Sequence, residues 1–147
     1  MNPRKFIQES YDRNNSWSIE LVSNFFKHKG YSIHNEEEDY NIDFSIKKGD
    51  IYKHIEVEVK SNYPFRSKED FRFSTVSFLG RKEKWKDLDF LYIIVCAETK
   101  YAVACNSKHI FQEKFREKIY LNHYEREGYD TLYRVPKEDC LFFNLNI

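Results

Sequence analysis

Asp43, Glu56, Glu58 and Lys60 are the residues of this chain whose types and spacing suit them best to chemistry. They sit in two stretches of alternating pattern. In the first, Ile42, Phe44 and Ile46 alternate with Asp43 and Ser45; in the second, Ile55, Val57 and Val59 alternate with Glu56, Glu58 and Lys60. A period of two is that of β-strands, whose successive side chains point to opposite faces. Lys47-Lys48-Gly49-Asp50 between them reads as a hairpin turn. A two-residue turn at Gly49-Asp50 would set Asp43 opposite Glu56 with Glu58 diagonal to it. A four-residue loop, Gly49–Tyr52, would set Asp43 opposite Glu58. Either register puts the three acids and Lys60 on one face, with side-chain roots about 5–8 Å apart. A one-residue slip would turn Ile42, Phe44 and Ile46 away from the face of Ile55, Val57 and Val59, so burial selects against it. Carboxylates converging on one patch repel each other, and a divalent cation would relieve the repulsion. Mg²⁺ or Mn²⁺ held by a pair such as Asp43 and Glu58 would bridge to phosphate oxygens and acidify a bound water. Lys60 would position or deprotonate that water and offset developing phosphoryl charge.

The elements that must hold these residues are readable around them. Asn14, Asn15 and Ser16 are good N-cap residues, and Trp17, Leu21 and Phe25, flanked by Val22 and Phe26, recur at helical spacing. This predicts an amphipathic helix of about 13 residues ending at Gly30, preceded by an irregular lead-in or short helix over 1–13. Tyr31–Asn35 reads as a short strand and Glu36–Asp39 as a solvated acidic turn. Phe71–Leu79 is expected as a strand or extended arm, Arg81–Lys86 as a basic turn, and Phe90–Ala97 as a central strand covered on both faces. Tyr101–Cys105 should pair back on it. Ile110, Phe111, Phe115 and Ile119 suggest a helix over Lys108–Leu121, with short strands at Leu132–Val135 and Leu141–Leu145. The order predicts an α/β or α+β sandwich around a mixed sheet.

Composition sets the bounds. With 147 residues, of which 41% are hydrophobic and 18% aromatic, a single domain over 1–147 is expected. The 24 basic residues balance 24 acidic ones, so any nucleic-acid binding must come from a local basic patch. The apolar run at Phe90–Ala97 is far short of the roughly 20 residues that span a bilayer, and Met1–Lys5 leads into no apolar signal core. No membrane association and a cytoplasmic location are the expectation. Cys96, Cys105 and Cys140 have no metal-ribbon spacing and read as core thiols, and the five histidines are scattered, so no histidine metal site is visible.

The acidic hairpin resembles the PD-(D/E)XK nuclease superfamily. Ile42-Asp43 stands where that family has Pro-Asp, and Glu58-Val59-Lys60 stands as its E-x-K element, fifteen residues after Asp43. Glu20-Leu21-Val22, the helix end at Gly30-Tyr31 and the hairpin that follows are similar to the N-terminal part of archaeal Holliday-junction resolvases. The resemblance covers roughly residues 16–60, with weaker agreement to about Lys108. It implies a restriction-endonuclease-like fold, a mixed β-sheet flanked by helices with an αβββαβ core. It also implies metal-dependent cleavage of DNA phosphodiesters, with Asp43 and Glu58 as Mg²⁺ ligands and Lys60 as the catalytic lysine. Departures are Ile42 in place of proline and the extra Glu56, a second metal ligand or a substitute for Glu58. Glu20 is the candidate for the glutamate that many members carry on the first helix, although helical arithmetic puts it roughly opposite the apolar centre.

Substrate contacts are expected from the net basic segment Arg66–Lys86. Within Arg81–Lys86, Arg81, Lys82, Lys84 and Lys86 face the single acid Glu83, and Arg72 lies nearby. These would grip phosphates flanking the cleaved bond, while Tyr63 or Trp85 stacks on an exposed base. Phosphate contacts carry no sequence information, and so short a chain has little room for a sequence-reading domain. The expected activity is therefore an endodeoxyribonuclease acting on double-stranded or branched DNA, with a homodimer suited to a two-fold junction substrate. The competing expectations are an inactive nucleic-acid or partner-binding module on the same fold, and an RNA endonuclease.

Overall fold

The chain was analysed as a computed structural model that describes residues 3–34, 42–61, 63–85, 87–122 and 127–146. The acidic run Glu36–Asp39 lies outside the described residues. A long helix, α1 (Pro3–His28), leads the chain. It runs straight through Asn14-Asn15-Ser16, so the expected N-cap there does not form. Its C-terminus is closed as the sequence suggests: Gly30 adopts φ +94°, its N–H bonds the Lys27 carbonyl at 3.0 Å, and Tyr31 N–H reaches back to Phe26 O at 3.0 Å. This is the paired bonding of a Schellman cap, and the Phe26 and Tyr31 rings pack edge-on across it.

Next come β1 (Ser32–His34), β2 (Phe44–Lys48) and β3 (Ile51–Lys60), an antiparallel meander. Phe44 pairs with Ile55 and Lys48 with Ile51, so the turn is the two-residue one. Gly49, at its first central position, has φ +60°, which only glycine adopts without cost. After β3 the chain leaves the sheet through β4 (Thr75–Leu79) and a 3-10 helix (Gly80–Trp85) and returns as β5 (Phe90–Cys96), parallel to β3. A parallel return needs such a long crossover. β6 (Tyr101–Asn106) and, after the rest of the chain, β9 (Leu141–Asn144) extend the sheet antiparallel, giving the order β1-β2-β3-β5-β6-β9.

The expected helix over Lys108–Leu121 is replaced by a four-residue helix, α2 (Ser107–Ile110), a 3-10 turn (Glu113–Phe115) and a strand, β7 (Arg116–Asn122). β7 pairs with β8 (Glu127–Pro136), which also pairs with β4, forming a second sheet in the order β4-β8-β7. The apolar spacing at Ile110, Phe111 and Phe115 instead serves the reversal into that sheet, where these residues pack against the core. Ladder bonds to β8, a Tyr120–Tyr129 ring contact and the 2.9 Å Arg134–Glu117 ion pair hold the following residues extended.

The fold is thus mixed α/β around a mostly antiparallel six-stranded sheet, with the long helix α1 on one face and the small sheet, joined by the short α2, on the other. On the α1 side Val22 and Phe26 pack on Phe44, Ile46, Ile55 and Val57. On the other, Val76, Phe78, Tyr133 and Val135 of the small sheet pack on Phe90, Tyr92 and Ile94. Ile42 departs from the expected alternation. The backbone bends at Asp43, and Ile42 joins the small-sheet side, whereas Phe44 and Ile46 lie beneath α1. Cys96, Cys105 and Cys140 are buried free thiols, as expected.

Gly80 joins β4 to the 3-10 helix at a point of close approach. A Cβ there would stand 2.4 Å from the Thr131 carbonyl oxygen of β8, so the glycine serves packing of the two strands. Gly80→Ala is expected to destabilise the fold by about 1–3 kcal/mol in urea unfolding through forced backbone displacement. A loss below roughly 0.5 kcal/mol would show that the junction yields freely.

Candidate active site

The two-residue turn decides between the registers left open by the sequence: pairing runs from Lys48–Ile51 to Phe44–Ile55, and Asp43, at the bend one residue beyond, stands close enough to Glu56 for its charge to act on that carboxyl. Because Phe44 and Ile46 must go under α1, the other face of the hairpin carries Ser45, His54, Glu56 and Glu58. Ser45 Oγ and His54 Nδ1 lie 2.8 Å apart across the strands. Glu56 and Glu58 are only 3% and 8% exposed, since the small sheet closes over them. An ionised carboxylate buried that deeply must be paired or hydrogen-bonded.

Each of the three acids has its own answer to this demand. Asp43 Oδ2 accepts the Val57 N–H at 2.7 Å, extending the strand pairing beyond the bend. Glu58 Oε2 accepts the hydroxyl of Tyr92 at 2.9 Å, and that hydroxyl in turn accepts the Leu79 N–H at 3.3 Å. Tyr92 is brought there by the parallel β3–β5 pairing, which sets it beside Glu56. Burial, and then the charge of Glu58, push the Tyr92 hydroxyl well above the ordinary tyrosine range, so it stays a donor. Glu56 Oε1 is paired with Lys82 Nζ, delivered by the 3-10 helix. Burial, and next the charge of Asp43, raise the Glu56 carboxyl to about 7 despite the opposing pull of Lys82.

The structure therefore keeps Glu56, Glu58 and Lys60 on one face of β3, sets Asp43 beside Glu56 from the bend, and adds Lys82 and Tyr92, which the sequence reading did not place there. Lys60 is half-buried and donates to Ser77 O at 2.9 Å. An ammonium has three donors, so this contact anchors the lysine and leaves protons for a ligand. Lys82, expected on the surface gripping phosphates, is 8% exposed and turned inward onto Glu56. Tyr92 was hidden inside an apolar run; its hydroxyl was the only signal. Glu20 is exposed on α1, which covers the opposite face of the sheet, so it is not brought to the acids. Arg72 is exposed, its guanidinium 5.5 and 5.4 Å from the Tyr63 and Phe73 ring centroids. Arg81 and Lys84 sit on the 3-10 helix with side chains outside the described residues, as are the side chain of Trp85 and residue Lys86.

As a cation site the acids are open rather than caged. Among the described residues no group of three or more His, Cys, Asp or Glu side chains encloses an ion position. Mg²⁺ does not require one, because it binds through one or two carboxylates and keeps several waters. Glu56 Oε2 is buried and, among the described residues, has no well-formed hydrogen bond, although the Asp43 backbone N–H lies near enough to the Glu56 carboxyl to favour its charged form. An under-satisfied carboxylate oxygen beside Asp43 is the donor such an ion needs, so the residues present fit a two-carboxylate site.

The raised Glu56 carboxyl has a thermodynamic consequence. Below its unfolded value of 4.5 the group is protonated folded and unfolded alike and costs nothing; as pH climbs through about 7 the folded protein must hold the anion. Replacing Glu56 by Gln removes that cost. The stability of Glu56→Gln relative to wild type should rise by about 3 kcal/mol between pH 4.5 and pH 8 in urea unfolding. A difference independent of pH would mean that Glu56 titrates as an ordinary solvated carboxylate.

Comparison with protein-family models, curated proteins and solved structures finds no match for this chain, so function has to be argued from this geometry.

Proposed function

We propose that the chain is a divalent-metal-dependent endonuclease of the restriction-endonuclease-like kind, hydrolysing phosphodiester bonds in DNA. The observation that supports it most is the juxtaposition of Asp43 with Glu56, whose Oε2 is buried without a well-formed hydrogen bond among the described residues, on the face that also carries Glu58 and Lys60. Surplus negative charge held in an apolar sandwich is costly unless something cationic uses it. Asp43 and Glu56 would hold Mg²⁺ or Mn²⁺, with Glu58 alongside and fixed by Tyr92. Such an ion, when bound, neutralises charge on the scissile phosphate and lowers the pKa of water.

The protein's own groups account for the remainder. Tyr92 keeps Glu58 in one orientation, and Lys60, held by Ser77 O, offers an ammonium toward the same face. A pre-positioned cation that needs no reorganisation is the kind of group that stabilises developing phosphoryl charge. The meander and the parallel return of β5 beside β3 support a reading as a departure from the αβββαβ plan. Its second helix is replaced by β4 and the 3-10 turn. A second reading has its own support: Lys82 already supplies a cation to Glu56, as expected of a binding module that has no need of a metal.

Among the described residues no helix is long and apolar enough to cross a membrane. The decisive assay is nicking of supercoiled plasmid and a synthetic four-way junction, with an RNA hairpin in parallel, in Mg²⁺, Mn²⁺ or EDTA. Cutting is expected with either metal and not with EDTA. Asp43→Asn and Lys60→Ala should each reduce it at least about 100-fold while leaving the melting temperature within a few degrees of wild type. Tight binding with no cutting of any substrate would favour the binding module, and cutting confined to RNA would reassign the substrate.

A further inference from the structure

Around Lys60 and the chain that follows it, a cavity of about 520 Å³ opens between the two sheets. That volume is typical of small-ligand pockets. Beside Val76, Ile94 and Val103 its wall carries Phe65 and Phe71, packed edge to face with centroids 5.2 Å apart. Its rim is aromatic. Tyr63 and Phe73 are 50% and 44% exposed, stand edge to face at 5.3 Å, and share the guanidinium of Arg72. Large rings left this open at a cavity mouth are a standing surface for a planar partner. The charge is one-sided: the described lining residues include the cations Lys60 and Arg134 and no acid. Arg134 is shared with Glu117, but both groups are solvent-exposed, where such a pair is weak and easily exchanged.

An aromatic slot with cations at its edge complements a ligand with a flat base and an attached phosphate. We infer that this cavity captures one unpaired nucleotide of the nucleic-acid strand, its base against Tyr63 and Phe73 and its phosphate on Lys60 and Arg134. Lys60 belongs both to this cavity and to the acidic face, so the captured nucleotide lies next to the acids. The placement beside a scissile bond rests on the nuclease proposal; the capture itself does not. Selection follows from energetics, because a bulged or single-stranded base reaches the slot without the unpairing cost that a paired base carries.

The test is binding in EDTA, where cutting cannot intervene, to duplexes carrying 2-aminopurine as a single-nucleotide bulge, as a paired base, or replaced by an abasic site. Wild type should prefer the bulged base over both others by about tenfold, with its fluorescence quenched by stacking. Tyr63→Ala with Phe73→Ala should erase preference and quenching, and Tyr63→Ala alone, at a half-exposed position, should weaken both should the double variant unfold. A free deoxynucleoside monophosphate that competes as well as the bulged strand would show a mononucleotide pocket and overturn strand capture. Equal affinity for the three duplexes, or preference that survives in a folded variant, would overturn it as well. Plasmid nicking reads out separately: metal-dependent nicking without base preference defeats only this inference, whereas base preference without nicking upholds it and defeats the nuclease proposal.

Discussion

Two glutamates closed between two sheets impose the constraint from which the organisation of the molecule follows. Glu56 and Glu58 point into the same layer as Phe78, Phe90 and Ile94, where an unpaired carboxylate would cost several kcal/mol. Two elements that look like mere connection supply their partners, and a third sets another carboxylate beside them. The parallel return of β5 brings Tyr92 to Glu58, the 3-10 turn after β4 brings Lys82 to Glu56, and the bend at Asp43 brings a carboxylate to the Val57 N–H. The small sheet covers this layer, and Gly80 lets the covering strands come close enough to do so. Among the described residues the fit of this layer is incomplete at Glu56 Oε2, which lies beside a second carboxylate rather than in an apolar void.

That incompleteness is what the proposed metal site rests on. A purely structural arrangement would gain from neutralising Glu56 fully or from replacing it with an apolar residue, since buried ion pairs seldom outperform well-packed hydrophobics. Here a carboxyl is kept that burial and the neighbouring Asp43 raise and that Lys82 offsets only in part. Groups held away from their ordinary protonation equilibrium by burial and a specific charged neighbour concentrate at functional sites. The aromatic cavity next to Lys60 gives that face an approach from solvent, through a rim that carries cations and exposed rings.

Much of this was legible in the chain before any coordinates. The alternation through Ile42–Ile46 and Ile55–Lys60 placed four polar residues on one face, because a register slip would have exposed the core residues of both strands. Which acid faces Asp43 was not legible, since it depends on turn length, and Gly49-Asp50 suits more than one loop. The phase break at Ile42 escaped for the same reason: a bend is invisible to a pattern that assumes a straight strand. Lys82 and Lys84 look alike in a basic run, and only the 3-10 geometry turns Lys82 inward. Residues Lys108–Leu121 show the opposite failure, where helical spacing of Ile110, Phe111, Phe115 and Ile119 was real but served a chain reversal, and β8 captured what followed as strand. Long-range pairing decided each of these cases, and local pattern carries no record of it.

The central claim is that Asp43 and Glu56 together hold a divalent cation on the face shared with Glu58 and Lys60. Anomalous diffraction from crystals soaked in Mn²⁺ tests it most directly. The account predicts one strong peak about 2.1 Å from an Asp43 carboxylate oxygen and from Glu56 Oε2, with Tyr92 still on Glu58. A structure of Mn²⁺-soaked crystals with no peak between these two side chains, and with Lys82 as the sole cation against Glu56, would contradict it.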